Sequence, residues 1–134
     1  WQQIRETGGA RLFKSHDPDY GDGGQLRDFV HVRDTASVML WLQANPEISG
    51  IFNLGTGQAR SFDDIAGAIF DAMGEASKIE YIDMPDTVRH QYQYFTEARM
   101  DRLRDAGYDQ PFTSLEDGVR SYVRDHLATN DPYV

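Results

Sequence analysis

Gly21-Asp22-Gly23-Gly24-Gln25-Leu26-Arg27-Asp28-Phe29-Val30-His31-Val32-Arg33-Asp34 holds a loop, a strand and the start of a helix in succession. Its first four residues are turn formers, which predicts a loop. From Arg27 to Val32 aromatic and β-branched residues alternate with polar ones, as in a half-buried strand. Asp34 offers an N-cap oxygen to a helix with the apolar stripe Val38, Met39, Trp41 and Leu42, ending near Asn45-Pro46. Such alternation predicts an α/β fold.

Upstream, the polar Trp1-Gln2-Gln3-Ile4-Arg5-Glu6 reads as the end of a helix stopped by Gly8-Gly9, and Arg11-Leu12-Phe13 as a strand. Trp1 follows no initiator Met, so the chain is expected to begin inside a larger protein. Residues 15–24 are dense in turn formers and long for a connector, which makes them a candidate functional loop.

Downstream, Ile51-Phe52-Asn53-Leu54 predicts a short strand and Gly55-Thr56-Gly57 a turn. Ser61 with Asp64 matches a capping box for a helix that turns Ile65, Ile69 and Phe70 inward and stops at Gly74. Residues 78–82 alternate as another strand, closed by Pro85. Thr96 is expected to cap a helix ending at Gly107, and Thr113 with Glu116 a last helix presenting Leu115, Val119, Tyr122 and Val123.

The 134 residues suit one domain, and 40% hydrophobic with 12% aromatic residues can bury a core. The net charge of −9 is scattered, which argues against a nucleic-acid partner, because phosphate binding needs clustered basic residues. Without cysteine there is no disulfide framework and no thiolate metal site, a composition that fits a reducing cytoplasm. Apolar runs fall far short of the roughly 20 residues of a membrane-spanning helix, so no membrane partner is expected.

Gly55-x-Gly57 stands where a dinucleotide-binding turn stands, but Arg60 replaces the third glycine and no βαβ unit precedes it; a tight turn explains it better. His16, His31, His90 and His126 lack metal-site spacing, so no metal is expected. The serines sit at caps or turns. Asp63-Asp64 complement a helix dipole. Arg27 is different, since its fork of donors suits bidentate phosphate binding, with a salt bridge to Asp28 or another acid as the alternative. Residues 89–95, Arg-His-Gln-Tyr-Gln-Tyr-Phe, combine polar donors with three rings, as sugar and nucleotide pockets do, although core packing accounts equally for two of them.

The stretch from Gly21 to Asp34 resembles the Gly-Asp-Gly-x-Gln-x-Arg-Asp-Phe-x-x-Val-x-Asp segment of extended short-chain dehydrogenase/reductases acting on nucleotide sugars. Gly50-Ile51-Phe52-Asn53-Leu54-Gly55-Thr56-Gly57 resembles their next strand and turn. Leu12-Phe13-Lys14-Ser15-His16, Ile79-Glu80-Tyr81-Ile82-Asp83-Met84-Pro85, and Gln91-Tyr92-Gln93-Tyr94-Phe95-Thr96 with Ala106-Gly107-Tyr108 and Pro111-Phe112 are similar to the heptose 6-epimerase branch.

The resemblance implies the substrate-binding, carboxy-terminal portion of an incomplete Rossmann-type protein. Its family role is a cytoplasmic enzyme of lipopolysaccharide core synthesis that inverts carbon 6 of ADP-heptose. The hydride chemistry belongs to NADP. The family's glycine-rich fingerprint and catalytic Tyr-x-x-x-Lys lie upstream of this chain, so no catalytic residue and little of the NADP site are expected here. The family's pattern implies that Phe13, Lys14, Ser15 and His16 line the substrate pocket, that Arg27 holds the ADP diphosphate, and that Tyr92 contacts the substrate. Residues 34–57 are expected to pack on the absent nucleotide-binding domain, leaving an apolar face along Val38, Leu42 and Phe52 that favours self-association. Two alternatives are another nucleotide-sugar epimerase or dehydratase using UDP or dTDP sugars, and a non-catalytic truncated module.

Overall fold

The computed structural model describes residues 1–129. Helix α1 (Gln2–Thr7) ends at Gly8, whose left-handed backbone (φ 72°) lets its amide return to the Ile4 carbonyl. Then come β1 (Ala10–Phe13), β2 (Leu26–Arg27), α2 (Val32–Ala44), β3 (Arg60–Ser61), α3 (Phe62–Met73) and β4 (Ile79–Ile82). Three helices follow: α4 (Asp86–Arg89), α5 (Asp101–Asp105) and α6 (Leu115–Tyr122), the last running into a π-helical turn, Val123–Leu127.

Strands β1 and β4 pair in parallel, with Ala10 opposite Ile79 and Phe13 opposite Ile82. Parallel pairing requires a long crossover, and everything from β2 to α3 lies within it. β2 pairs antiparallel with β3, and Phe95 bridges Leu26 in parallel. The fold is therefore α/β with a parallel strand pair, as the alternation predicts.

Two cores hold these elements. Ile4, Ala10 and Phe70 gather Ile69, Met73 and Ile79 between α1, α3 and the parallel pair. Val38, Leu103 and Tyr108 gather Trp41, Leu42, Phe52, Leu54, Met100 and Phe112 between α2, α5 and the following loop. The expected exposed face along Val38, Leu42 and Phe52 is therefore corrected: Val38 is buried with Leu103 and Tyr108, and Leu42 and Phe52 pack against that cluster. The apolar residues of α2 left in solvent are Val32, Met39 and Leu40, joined by Ile51 in the next loop. Helix periodicity accounts for this, because residues 32, 36, 39 and 40 share one face and 38, 41 and 42 the other. A stripe had been expected on one side, and the helix carries two.

Several boundaries move for a shared reason, which is that tertiary partners claim the groups that would have extended or capped an element. The strand expected over residues 27–32 stops at Arg27, since its partner β3 is only two residues long. Residues 51–54 form no strand, having no neighbour to pair with among the described residues. His31, not Asp34, caps α2, accepting from the Arg33 amide. Asp34 instead accepts both the amide (2.8 Å) and the hydroxyl (2.9 Å) of Thr113, so neither residue caps its helix, and Ser114 caps α6. A helix from Thr96 does not form, because the Thr96 amide goes to Leu26 and the Ala98 amide to Asp28; α5 begins only at Asp101. The capping box is as expected: Ser61 Oγ accepts from the Asp64 amide and Asp64 Oδ2 from the Ser61 amide, both at 3.0 Å.

Asp28 ties three segments together. Its carboxylate accepts the Thr56 amide (2.7 Å) and hydroxyl, the Gly57 amide (2.9 Å) and the Ala98 amide (3.0 Å). Burial by itself would raise its pKa, but the hydrogen bonds from Thr56, Ala98 and Gly57 prevail and hold it below the ordinary aspartate value. Gly55 is required by this approach and not by its backbone angles: a Cβ there would overlap Asp28 Oδ2 and come within 2.6 Å of the Ala98 Cβ. Gly57, by contrast, does need a left-handed backbone (φ 74°).

Replacing Ser61 by Ala should cost about 1 kcal/mol, read as a lower urea midpoint at unchanged m-value. Asp28→Asn should cost about 2 kcal/mol at neutral pH. Since the Asp28 carboxyl titrates lower when folded, its contribution is complete above the unfolded value near ~4 and fades as pH falls through the lower folded value. Urea denaturation between neutral pH and pH ~3 should therefore show a flatter acid limb in the variant; equal slopes would refute the role.

Candidate functional site

The loop of residues 15–24 leaves the end of β1 and returns at β2, and Phe13 and Arg27, on either side of its neck, both meet Tyr92. The Gly23 amide donates to the Phe13 carbonyl (3.1 Å), and Asp22 Oδ1 accepts from the Ser15 amide (2.8 Å). Under the neck lies Gln25, only 1% exposed, whose side-chain amide donates to the Phe13 and Lys14 carbonyls. Gln25 thus gives the Phe13 carbonyl a second donor beside Gly23 and supplies one to the Lys14 carbonyl.

Arg27 extends from β2 between two rings, with its guanidinium carbon 5.3 Å from the centroid of Tyr92 and 5.9 Å from that of Phe62. Two of its nitrogens donate to the Leu26 and Gln93 carbonyls. It makes no ion pair among the described residues, which sets aside the salt bridge weighed from the sequence; Asp28, the nearest candidate in the chain, spends its carboxylate on amides and a hydroxyl. A half-buried cation held by neutral carbonyls and aromatic faces retains donors and charge for an anionic ligand.

Rings extend this surface. Phe13 meets Tyr92 edge-on at 6.4 Å, Tyr92 meets Tyr94 at 5.5 Å, and Tyr94 meets Tyr20 of the loop at 5.2 Å. Burial raises the Tyr92 phenol pKa, the Arg27 charge lowers it and Tyr94 raises it, leaving it above the ordinary tyrosine value. At neutral pH it is therefore an uncharged hydroxyl able to donate or accept.

The structure brings Phe13, Arg27 and Tyr92 together directly. Lys14 leans away to an ion pair with Asp83 (3.3 Å). Ser15 is engaged with its own loop, its hydroxyl donating to the Asp17 carbonyl (2.8 Å). His16 is exposed and joins the cluster through its backbone amide, which donates to the Tyr94 hydroxyl (2.9 Å). Patterning alone does not single out Gln25, Asp28, Tyr20 or Tyr94. The aromatic content of residues 92–95 was the only available signal for Tyr94, and it could not say which rings face the site.

The glycine turn at residues 55–57 does not fit a dinucleotide phosphate, since the Thr56 and Gly57 amides that would cradle one already serve Asp28. No group of three His, Cys, Asp or Glu among the described residues is placed to hold a metal ion. No helix among them is long and apolar enough to cross a membrane.

Residues 11–55 match the NAD dependent epimerase/dehydratase family. Over all 134 residues the chain is 54% identical to an ADP-L-glycero-D-manno-heptose-6-epimerase of Nitratidesulfovibrio vulgaris, and it is 41% identical to one from Fusobacterium nucleatum. It spans 42% of the length of either relative. The crystal structure of the Helicobacter pylori ADP-L-glycero-D-manno-heptose-6-epimerase superposes with a TM-score of 0.71 at 27% identity, over 95% of this chain and 36% of that one. A UDP-N-acetylglucosamine 4-epimerase from Methanobrevibacter ruminantium, at a TM-score of 0.71 and 18% identity over 92% of this chain and 36% of that one, shares the fold. The chain is thus similar along its whole length to the carboxy-terminal part of ADP-L-glycero-D-manno-heptose-6-epimerases, and its residues 11–55 carry the match to the NAD dependent epimerase/dehydratase family.

Proposed function

We propose that this chain is the substrate-binding portion of an NADP-dependent epimerase that inverts carbon 6 of ADP-glycero-manno-heptose in lipopolysaccharide core biosynthesis, a cytoplasmic role, and that it is inactive by itself. The observation that carries this reading is Arg27, a cation without an ion-pair partner among the described residues, held over the Tyr92 ring beside Phe13. A nucleoside diphosphate sugar offers what such a surface takes: a dianionic centre for the guanidinium and ring faces for the aromatics. The similarity to ADP-heptose epimerases over the whole chain supports ADP-heptose as the particular ligand. In the assembled enzyme NADP supplies the hydride chemistry; the part of this chain is to bind and orient the sugar nucleotide. Phe13, Lys14, Ser15 and His16 are assigned to the lining of the substrate pocket, Arg27 to the diphosphate and Tyr92 to a substrate contact.

The same reading accounts for the second face of α2. Val32, Met39 and Leu40, with Ile51, are more than half exposed, and a contiguous apolar stripe in a soluble domain marks a contact surface. We assign these residues, the exposed part of residues 34–57 together with Val32, to packing against the nucleotide-binding domain. Without that domain, self-association is expected.

Titration calorimetry with ADP-mannose, and UDP-glucose as control, tests the ligand. Selective ADP-sugar binding is expected, and Arg27→Ala should weaken it by about 1.5–3 kcal/mol; UDP-sugar preference would favour a sibling enzyme, and binding of neither a non-catalytic module. Sedimentation velocity tests the surface: Met39→Glu with Leu40→Glu should shift the chain from associated species toward monomer, whereas an already monomeric, monodisperse wild type would refute the assignment.

A further inference from the structure

Tyr94 touches the 15–24 loop, strand β2 and Tyr92. Its hydroxyl accepts the His16 amide at the start of the 15–24 loop, and its carbonyl accepts the Leu26 amide (2.8 Å), one residue before Arg27. One side of its ring meets Tyr92, nearly perpendicular at 77°, and it also meets Tyr20 at a tilt of 37°. Tyr20 lies within the loop, and its own amide donates to the Asp17 carbonyl (3.2 Å). The loop is thus folded on itself, pinned at its neck by Gly23 and Asp22, and pressed by one ring onto the back of the site.

We propose that Tyr94 is a positioning residue and Tyr20 its clamp, so that the 15–24 loop sets the orientation of the Tyr92 ring and the path of residues 13–16, and through them the selectivity of the site for its sugar nucleotide. This rests on the nucleotide-sugar reading above. The physical case is one of restraint. A tyrosine that lines a site can rotate about two side-chain bonds, and ordering such a group on binding costs affinity. Tyr92 is boxed by Phe13 on one edge, Tyr94 on another and the Arg27 guanidinium over its face. Of these, Phe13 and Arg27 are assigned to the ligand. Tyr94 is held from the loop side, by the Tyr20 ring and the His16 amide. The phenol oxygen matters separately from the ring, because it fixes the backbone of the 13–16 segment through His16.

Three variants separate these contributions. Tyr94→Phe keeps the rings and loses the His16 hydrogen bond, Tyr94→Ala loses both, and Tyr20→Ala frees the loop while leaving Tyr94. Hydrogen exchange of the His16 amide should speed up about fivefold in Tyr94→Phe, as expected for the loss of one hydrogen bond. Titration with ADP-mannose and UDP-glucose should show the ADP-sugar preference shrinking by about threefold in Tyr94→Phe and about tenfold in Tyr20→Ala and Tyr94→Ala. Tyr20 lies on a surface loop, so its variant should keep the wild-type urea midpoint. A loss of selectivity at unchanged stability is a result that a purely structural role would not give. If the wild type prefers the ADP sugar and the Tyr20 and Tyr94 variants keep that preference, this inference falls while the proposed function stands. If the wild type binds neither sugar, both fall. Unchanged His16 exchange in Tyr94→Phe overturns the assigned contact irrespective of ligand.

Discussion

The Asp28 carboxylate is the constraint around which the rest is arranged. Four donors from residues 56, 57 and 98 converge on it, and each comes from a stretch with no regular secondary structure to hold it. Loops carry unsatisfied backbone groups, and in most proteins water or a neighbouring strand satisfies them. Here one side chain does so for two loops at once. Fixing residues 55–57 lines up β3 beside β2, and fixing residue 98 brings the 92–96 segment alongside Leu26, where the Thr96 amide meets the Leu26 carbonyl. Tyr92 and Arg27 face one another as a result of that alignment. The cluster of candidate ligand contacts is therefore downstream of an interaction in which none of its members takes part.

The charges divide the labour. Arg60, in β3, is bound by Asp64 and Glu116 (3.1 and 2.7 Å), and those hydrogen bonds raise its pKa. It stitches the start of α3 to the start of α6. Arg27, its opposite number across the strand pair, has carbonyls and rings in place of carboxylates. Two arginines in register thus meet opposite fates: one is paired with carboxylates in the scaffold, and the other has no ion-pair partner among the described residues. In an acidic chain with net charge −9, leaving a guanidinium without a carboxylate partner among the described residues is a property of the fold around it, since acids are plentiful.

Much of this was legible beforehand, and the pattern of success has a physical cause. Features written in contiguous residues came through: Gly8 and Gly74 ending helices in left-handed backbone, the Ser61–Asp64 box, and β1 and β4. Features that depend on a distant partner did not. Asp34 and Thr113 each look like a cap in their own neighbourhood, and each is diverted to the other. The strand expected at residues 51–54 lacks a neighbour, and no local pattern supplies one. At the site, Arg27 and Tyr92 stood out by residue type and by family likeness. Tyr94 and Gln25 act through contacts with residues more than ten positions away, a separation that periodicity does not register. The two-faced character of α2 was present in the sequence, but an apolar run does not say which face a short helix such as α5 will cover.

The parallel pairing of β1 with β4 also governs when the site comes into being. Phe13 is matched with Ile82, so the wall it helps to build is closed by a contact across most of the first two-thirds of the chain. Non-local pairings of this kind are entropically costly and form late relative to helices and their caps. A nascent chain emerging from the ribosome can satisfy the caps of α2 and α3, which are local to each helix, before β4 exists to fix the edge of the pocket. A chain stalled short of β4 would lack Tyr92 and the α5 and α6 surfaces on which those helices pack, so it would hold local caps but no site.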